Sequence, residues 1–353
     1  MSGLRAASSD EAVLHVHAEP SLAAWDRYVA THPDASGYHR TGWADIIAGA
    51  FGHRVRRLVA ESSRGIEGVL PLVQFRSRLF GRFAVSLPFV NYGGVVADSP
   101  AAERLLLNEA VRECLASGAR HLELRHTVQR FPDLPSKRHK VAMTLAVAAD
   151  PDRQWQGLDR KVRNLVRKAE KSGMRPSNGG AELVPAFYDV FARNMRDLGT
   201  PVYAPGFFAR ILDRFPEEAR VFCVFGGERP VAASIVCWHR NTIEVPWASS
   251  LREFNQYSPN MLLYWSMLRF AIERGFTTFD FGRSTRDEGT YHFKRQWGAE
   301  PADLVWEYWT APGEPVPDLS PKNPKFARAI AVWQRLPVTV TNLVGPEIAR
   351  NIP

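Results

Sequence analysis

Two stretches of this chain, residues 111–124 and 268–281, superimpose without a gap 157 positions apart. Each reads as a helix that ends in a glycine suited to a left-handed cap, Gly118 or Gly275. A short strand follows in both, with an acidic residue, Glu123 or Asp280, between two apolar ones. A second pair, residues 65–70 and 227–232, lies at nearly the same offset, and each looks like a hairpin turn entering a strand. Two matches in the same order predict one α/β unit used twice. The length of 353 residues suits two domains of ordinary size.

Periodicity places strands at 14–17, 55–61, 68–75, 121–125, 140–147, 220–225, 231–239, 242–248, 277–281 and 303–309. Helices are expected at 21–30, 42–50, 101–117, 153–172, 183–198, 206–215, 260–274 and 325–336. The interleaving predicts an α/β fold. The organisation expected is a first, degenerate domain at 12–138, a second at 139–310 carrying the active site, a proline-rich linker at 311–324, and a basic amphipathic helix with its tail at 325–353. In that last helix Phe326, Ile330 and Trp333 share one side, while Lys325, Arg328 and Arg335 share another. A helix docked on its own protein is the first expectation, and contact with a membrane surface is the alternative.

Three cysteines, none in a metal or redox spacing, predict neither a disulfide framework nor a metal site, and suggest a cytoplasmic address. No signal peptide or membrane-spanning run is apparent, so the expected location is the cytoplasm, with peripheral contact at the inner face of its membrane as an extension. The net charge of +8 suggests an anionic partner. Most of it is local: residues 153–175 hold eight basic and two acidic side chains. On a helix, Arg160, Arg163, Arg167 and Lys171 stack opposite an apolar stripe with Lys161 and Lys168 beside them, so Arg160, Arg163, Arg167, Lys168 and Lys171 are the expected anion-binding residues. Phosphates of RNA, of a nucleotide sugar or of a lipid pyrophosphate all fit. Residues 246–300 are dense in polar and aromatic side chains, with Ser258 and Pro259 expected to open a helix whose N-terminus suits an anion.

The stretches LDRKVRNLVRKAEKSG, LLYWSMLRFAIERGFTTFDFGRS and YHFKRQWGAE, with SGYHRTGWADIIAGAFG, GVLPLVQF and LPFVNYGGVVAD before them, resemble the FemAB-like branch of the GNAT acyltransferase superfamily. The resemblance is to the members associated with exosortase (PEP-CTERM) exopolysaccharide loci, and it runs over roughly residues 12 to 345. It implies two tandem GNAT-like domains with mixed central sheets and an N-acyltransferase of the cell envelope, in peptidoglycan or exopolysaccharide assembly. The donor implied is aminoacyl-tRNA, with an acyl thioester on coenzyme A or on an acyl-carrier protein as the alternative. No cofactor is expected to be held tightly. The partners implied are an anionic envelope or polysaccharide precursor, tRNA and exopolysaccharide biosynthesis proteins.

Carried over residue by residue, the YHFKRQWG motif makes Lys294 the first catalytic candidate, an ammonium able to hold an oxyanion or a donor phosphate. Tyr291 shares its helix side, and Asp280, Glu244 and His292 are candidate proton acceptors. Asn91, Tyr92 and Gly93 match a loop that lines the acceptor channel in relatives. Trp247, Ser249, Asn255, Tyr257, Asn260, Arg283 and Arg286 complete the expected substrate contacts. The Cys237-Trp238-His239 run invites a Cys/His nucleophile, but a cysteine inside an apolar strand is more often core. Before the helix at 260 no glycine-rich phosphate loop is present, which argues against an ordinary acetyl-CoA enzyme. A non-catalytic scaffold that binds an anionic polymer is the remaining reading.

Overall fold

A computed structural model describes residues 13–18, 20–77, 80–317 and 327–353. Two mixed sheets of eight strands carry the chain, in the two tandem GNAT-like domains expected. The first runs in the order His15–His17, Arg54–Ser62, Gly65–Ser77, Gly81–Val85, His121–His126, Val305–Thr310, Ser136–Lys137, with Val96–Ala97 paired to Gly65–Ser77. The second runs Ser284–Thr285, Lys140–Ala146, Thr278–Asp280, Thr242–Ser250, Arg229–His239, Ala219–Gly226, Met174–Gly179, with Glu300–Asp303 on Lys140–Ala146.

The duplication is visible strand by strand. An antiparallel hairpin opens each unit, then each sheet has one parallel pair: Gly81–Val85 with His121–His126, and Thr242–Ser250 with Thr278–Asp280. The preceding helices, Pro100–Ser117 and Pro259–Glu273, both begin on proline, and Gly118 and Gly275 follow them with φ of 68° and 77°. Such angles suit glycine, so the cap turns the chain into the next strand without strain.

The strand beyond each parallel pair is exchanged. Lys140–Ala146, which follows the first unit, lies against Thr278–Asp280 in the second sheet, and Val305–Thr310, which follows the second unit, lies against His121–His126 in the first. A division at 138/139 therefore does not separate the sheets. The expected strand at 303–309 is accordingly two, parted at buried Leu304, where the chain crosses between sheets. A single apolar cluster also draws on both halves, from Trp43, Ile47, Phe51, Phe83 and Leu87 to Phe187, Phe208, Ile211 and Ile235.

The basic helix expected at 153–172 is two helices, Pro151–Gly157 and Arg160–Lys171. Asp159 accepts a hydrogen bond from Lys161 N at 2.6 Å as an N-cap, and the extended backbone this requires ends the first helix at Leu158. Ser258 occupies the N-cap position of Pro259–Glu273, but with φ 58° and no capping bond from its side chain. Edge strand Met174–Gly179 escaped the sequence reading because its residues are mostly polar and exposed.

Of the linker and terminal helix, residues 318–326 lie outside the described residues. The helix Ala327–Trp333 docks on its own protein: Ile330 reaches Gly199, Trp333 is buried, and Arg196 donates to Leu336 O at 2.9 Å. A further helix, Val338–Ala349, had no counterpart in the sequence reading. Among the described residues no helix is long and apolar enough to cross a membrane.

Candidate active site

The parallel pair of the second sheet sets two carboxylates side by side, because Glu244 and Asp280 are register partners. Both are buried, at 9% and 4% exposure. At the equivalent place in the first sheet Glu123 faces Val85, so only one carboxylate is present. Glu123 is moreover occupied by Arg125 Nε at 2.7 Å and the Tyr308 hydroxyl at 3.0 Å. The two sheets therefore differ at this equivalent place.

First-domain side chains complete the carboxylate pair. Asn91 Nδ2 donates to Glu244 Oε1 at 2.5 Å and the Tyr92 hydroxyl donates to Asp280 Oδ2 at 2.6 Å, while Gly282 N donates to Asp280 Oδ1 at 2.8 Å. Gly93 fixes the approach of this loop, since a Cβ there would stand 2.6 Å from Leu87 Cβ. Tyr38 lies buried with its hydroxyl toward Glu244. Two carboxylates this close in a dry site do not both ionise readily. Burial and then the neighbouring Asp280 charge raise the Glu244 pKa well above its usual range, against the pull of Asn91. Burial raises that of Asp280 too, against the bonds from Tyr92 and Gly282. The pair therefore tends to hold a proton between its members.

Lys294, on helix Gly289–Arg295, stands behind the pair. Its ammonium donates to the carbonyls of Gly282 and Arg283, both at 2.9 Å, which clamps the turn after Asp280. Burial lowers its pKa to about 8, although the Asp280 and Glu244 charges pull the other way. The turn itself needs Gly282, at φ 72°: a Cβ would sit 2.8 Å from Val245 O and 3.0 Å from Asn91 Nδ2. Gly282→Ala is expected to destabilise the protein by about 1–3 kcal/mol, read by denaturant unfolding, through left-handed strain and displacement of Asn91.

The carboxylates line an interdomain cavity of about 310 Å³. Tyr38, Trp43 and Tyr92 come from the first domain, and Phe215, Cys237 and His239 from the second. Arg40 and Glu218 line it as a cross-domain ion pair at 3.3 Å. Burial and the nearby Arg240 and Arg40 lower the His239 pKa to about 4, so the imidazole is neutral, and its Nε2 is unpartnered. Burial and the Glu244 charge hold the Cys237 thiol protonated, which removes it as a nucleophile.

The structure thus brings together Asn91, Tyr92, Gly93, Asp280 and Lys294, with Arg283 next to them. The Arg283 guanidinium stacks 5.4 Å over Trp306, and its Nη1 is buried without a partner. Other expected contacts lie elsewhere. Trp247 packs edge-on between Phe207 and Phe208, and Ser249 bonds Asn194 at 3.0 Å. Asn255 and Tyr257 are exposed on a short 3₁₀ helix, with Asn260 half-buried at the start of the next helix. Arg286 is engaged by Asp303, Tyr291 is half-buried, and exposed His292 bonds the Asp287 carbonyl. Tyr38 and the aromatic wall were not legible beforehand, because nothing in the first domain's local pattern marks a side chain that crosses to another sheet.

On helix Arg160–Lys171, Arg160, Arg167, Lys168 and Lys171 are exposed and Arg163 half-buried, with Arg167 also 5.3 Å over Trp155. None of the five is in an ion pair among the described residues. The start of this helix and the end of the Lys294 helix border one groove, lined by Lys161, Arg295 and Trp297 among others.

The profile of the acetyltransferase (GNAT) domain matches residues 157–295, the stretch holding Glu244, Asp280 and Lys294. A 69-residue segment is 30% identical to the lipid II:glycine glycyltransferase of Staphylococcus aureus, covering 18% of this chain and 16% of that protein. Among solved structures, FemX superimposes with a TM-score of 0.68 at 16% identity, over 84% of this chain and 97% of FemX. A tandem GNAT protein from the clavulanic acid pathway superimposes with a TM-score of 0.54 at 13% identity, over 86% and 100%. Residues 157–295 thus match the GNAT acetyltransferase domain, and over most of its length the chain shares its duplicated fold with FemX.

Proposed function

We propose that this protein transfers an acyl or aminoacyl group to an amine of a cell-envelope precursor, and that the reaction takes place at the Glu244–Asp280 pair. The observation that carries this reading is two buried carboxylates of raised pKa lining an interdomain cavity, with an ammonium behind them. The acceptor amine enters the cavity, and the ionised member of the pair takes its proton as nitrogen attacks the acyl carbonyl. A C–N bond forms and the ester C–O or thioester C–S bond breaks. The proton passes on to the departing oxygen or sulfur. Lys294 acts by holding the Gly282–Arg283 turn and by balancing the carboxylate charge, while the two carboxylates share the remaining proton and Tyr92 and Asn91 orient them.

The basic face of Arg160–Lys171 would hold the anionic part of a donor or carrier, whether tRNA, coenzyme A, an acyl-carrier protein or a lipid pyrophosphate. Peptidoglycan and exopolysaccharide precursors are both acceptors of the right class, the latter in an exosortase-linked system. Exposed Val332, Val340, Leu343 and Val344 on the terminal helices would suit work beside a cytoplasmic membrane. Incubation with lipid II or an amino-sugar polysaccharide precursor, and with glycyl-tRNA or acetyl-CoA in parallel, followed by mass spectrometry, separates the donors and acceptors. Absence of product in every pairing overturns the assignment in favour of a binding scaffold.

Lys294 supplies a pH test. Transfer is expected to decline above about pH 8, where the ammonium loses its proton. Lys294→Arg should move that alkaline limb upward, since a guanidinium stays charged. Lys294→Ala should lose transfer with the fold retained by circular dichroism.

A further inference from the structure

We propose that the first domain carries a divalent-metal site of the zinc class at His15, His17 and Glu61, on the edge of its sheet and apart from the interdomain cavity. His15 and His17, two positions apart on one strand, present their imidazoles to the same face, where their rings stack at 5.7 Å. Glu61 is the antiparallel register partner of His15, and His17 Nε2 lies 2.9 Å from its Oε2. One ligand atom from each side chain falls within 4.8 Å of the other two. Zinc–nitrogen and zinc–oxygen bonds of about 2.0–2.2 Å bring ligand atoms to roughly 3.5 Å from one another, so a small rotation of the partly exposed side chains closes the triad.

The donor set is as informative as the distances. Two imidazoles and one carboxylate suit zinc and its first-row neighbours rather than magnesium or calcium, which prefer oxygen throughout. Among the described residues Glu61 has no lysine or arginine partner, so its charge faces the two imidazoles alone. Three protein ligands leave a coordination position for water or an external donor. The His15–His17 strand is only three residues long and lies at the edge of the sheet, and the metal would fasten it to Arg54–Ser62. The expectation that the chain holds no metal came from its cysteine spacings. The readable signal was a His-x-His alternation in a strand, which needs the partner strand to become a ligand set.

Calorimetry with Zn²⁺ on the full chain tests this, with Co²⁺ absorption as the second readout. The expected result is one site of micromolar affinity, weakened at least tenfold in His15→Ala, in His17→Ala and in Glu61→Gln. Metal should also raise the melting temperature of the wild type and not of the His15→Ala/His17→Ala double variant. Because all three cysteines are buried, a thiolate charge-transfer band is not expected from Co²⁺ in the native protein. Absence of a one-to-one site, or equal affinity in the wild type and in variants whose circular dichroism is unchanged, would overturn the proposal.

Discussion

Glu244→Gln is expected to lower acyl transfer by about 10²- to 10⁴-fold, the usual contribution of positioned acid–base groups, because an amide cannot share a proton with Asp280. The loss should fall on kcat, because an amide of the same shape still accepts the Asn91 hydrogen bond and still lines the cavity. Stability should move the other way. A carboxyl whose folded-state pKa is raised binds its proton more tightly in the folded than in the unfolded chain, so folding loses stability as pH climbs from the usual carboxylate range to the folded-state value. Glutamine removes that loss, and Glu244→Gln should be at least as stable as the wild type at neutral pH. Activity and melting temperature measured on the same preparation thus separate a catalytic role from a structural one. A Glu244→Gln enzyme with wild-type kcat would refute the assignment.

Glu307→Ala should have the largest effect on stability, about 3–5 kcal/mol by denaturant unfolding. Glu307 is fully buried and accepts from His126 Nδ1 at 2.7 Å, Phe131 N at 2.7 Å and Arg130 N at 3.1 Å. Truncation strands those donors in an apolar setting and removes the charge that faces the imidazole. Burial alone would raise the carboxyl pKa, but the His126 contact and the two backbone donors outweigh it and hold it below the usual value. A carboxyl with a depressed folded-state pKa gives stability above the unfolded-state pKa of about 4.5 that is lost as pH falls below it. The acid limb of the wild-type stability curve should therefore be steeper than that of Glu307→Ala.

The duplication was legible because its two glycine caps and the paired Glu123 and Asp280 are local, and local constraints survive in sequence. Asp280 and Lys294 were likewise within reach, one from the repeat and the other from its motif. What makes them a site is not local. The cavity depends on Tyr38, Asn91 and Tyr92 crossing from one sheet to the other, and on the register that sets Glu244 beside Asp280. The break at Asp159 was present in the sequence as a glycine followed two residues later by a capping aspartate, and was masked by an apolar stripe that continues through it. Leu304 shows the same limit: one run of alternating residues serves two sheets, and alternation alone cannot say where it changes allegiance.

The exchanged outer strands bear on how the protein emerges from the ribosome. His126 pairs with Val305, roughly 180 residues later in the chain. At translation rates of about 5–20 residues per second, the first sheet waits on the order of 10–35 s with the edge of His121–His126 uncovered. Such an edge invites pairing with other chains. The apolar residues of that strand, Leu122 and Leu124, are also part of the core that the late strand closes. A nascent chain held in this state is a natural client for a chaperone, and the finished protein becomes two domains only when its last strand returns to the first.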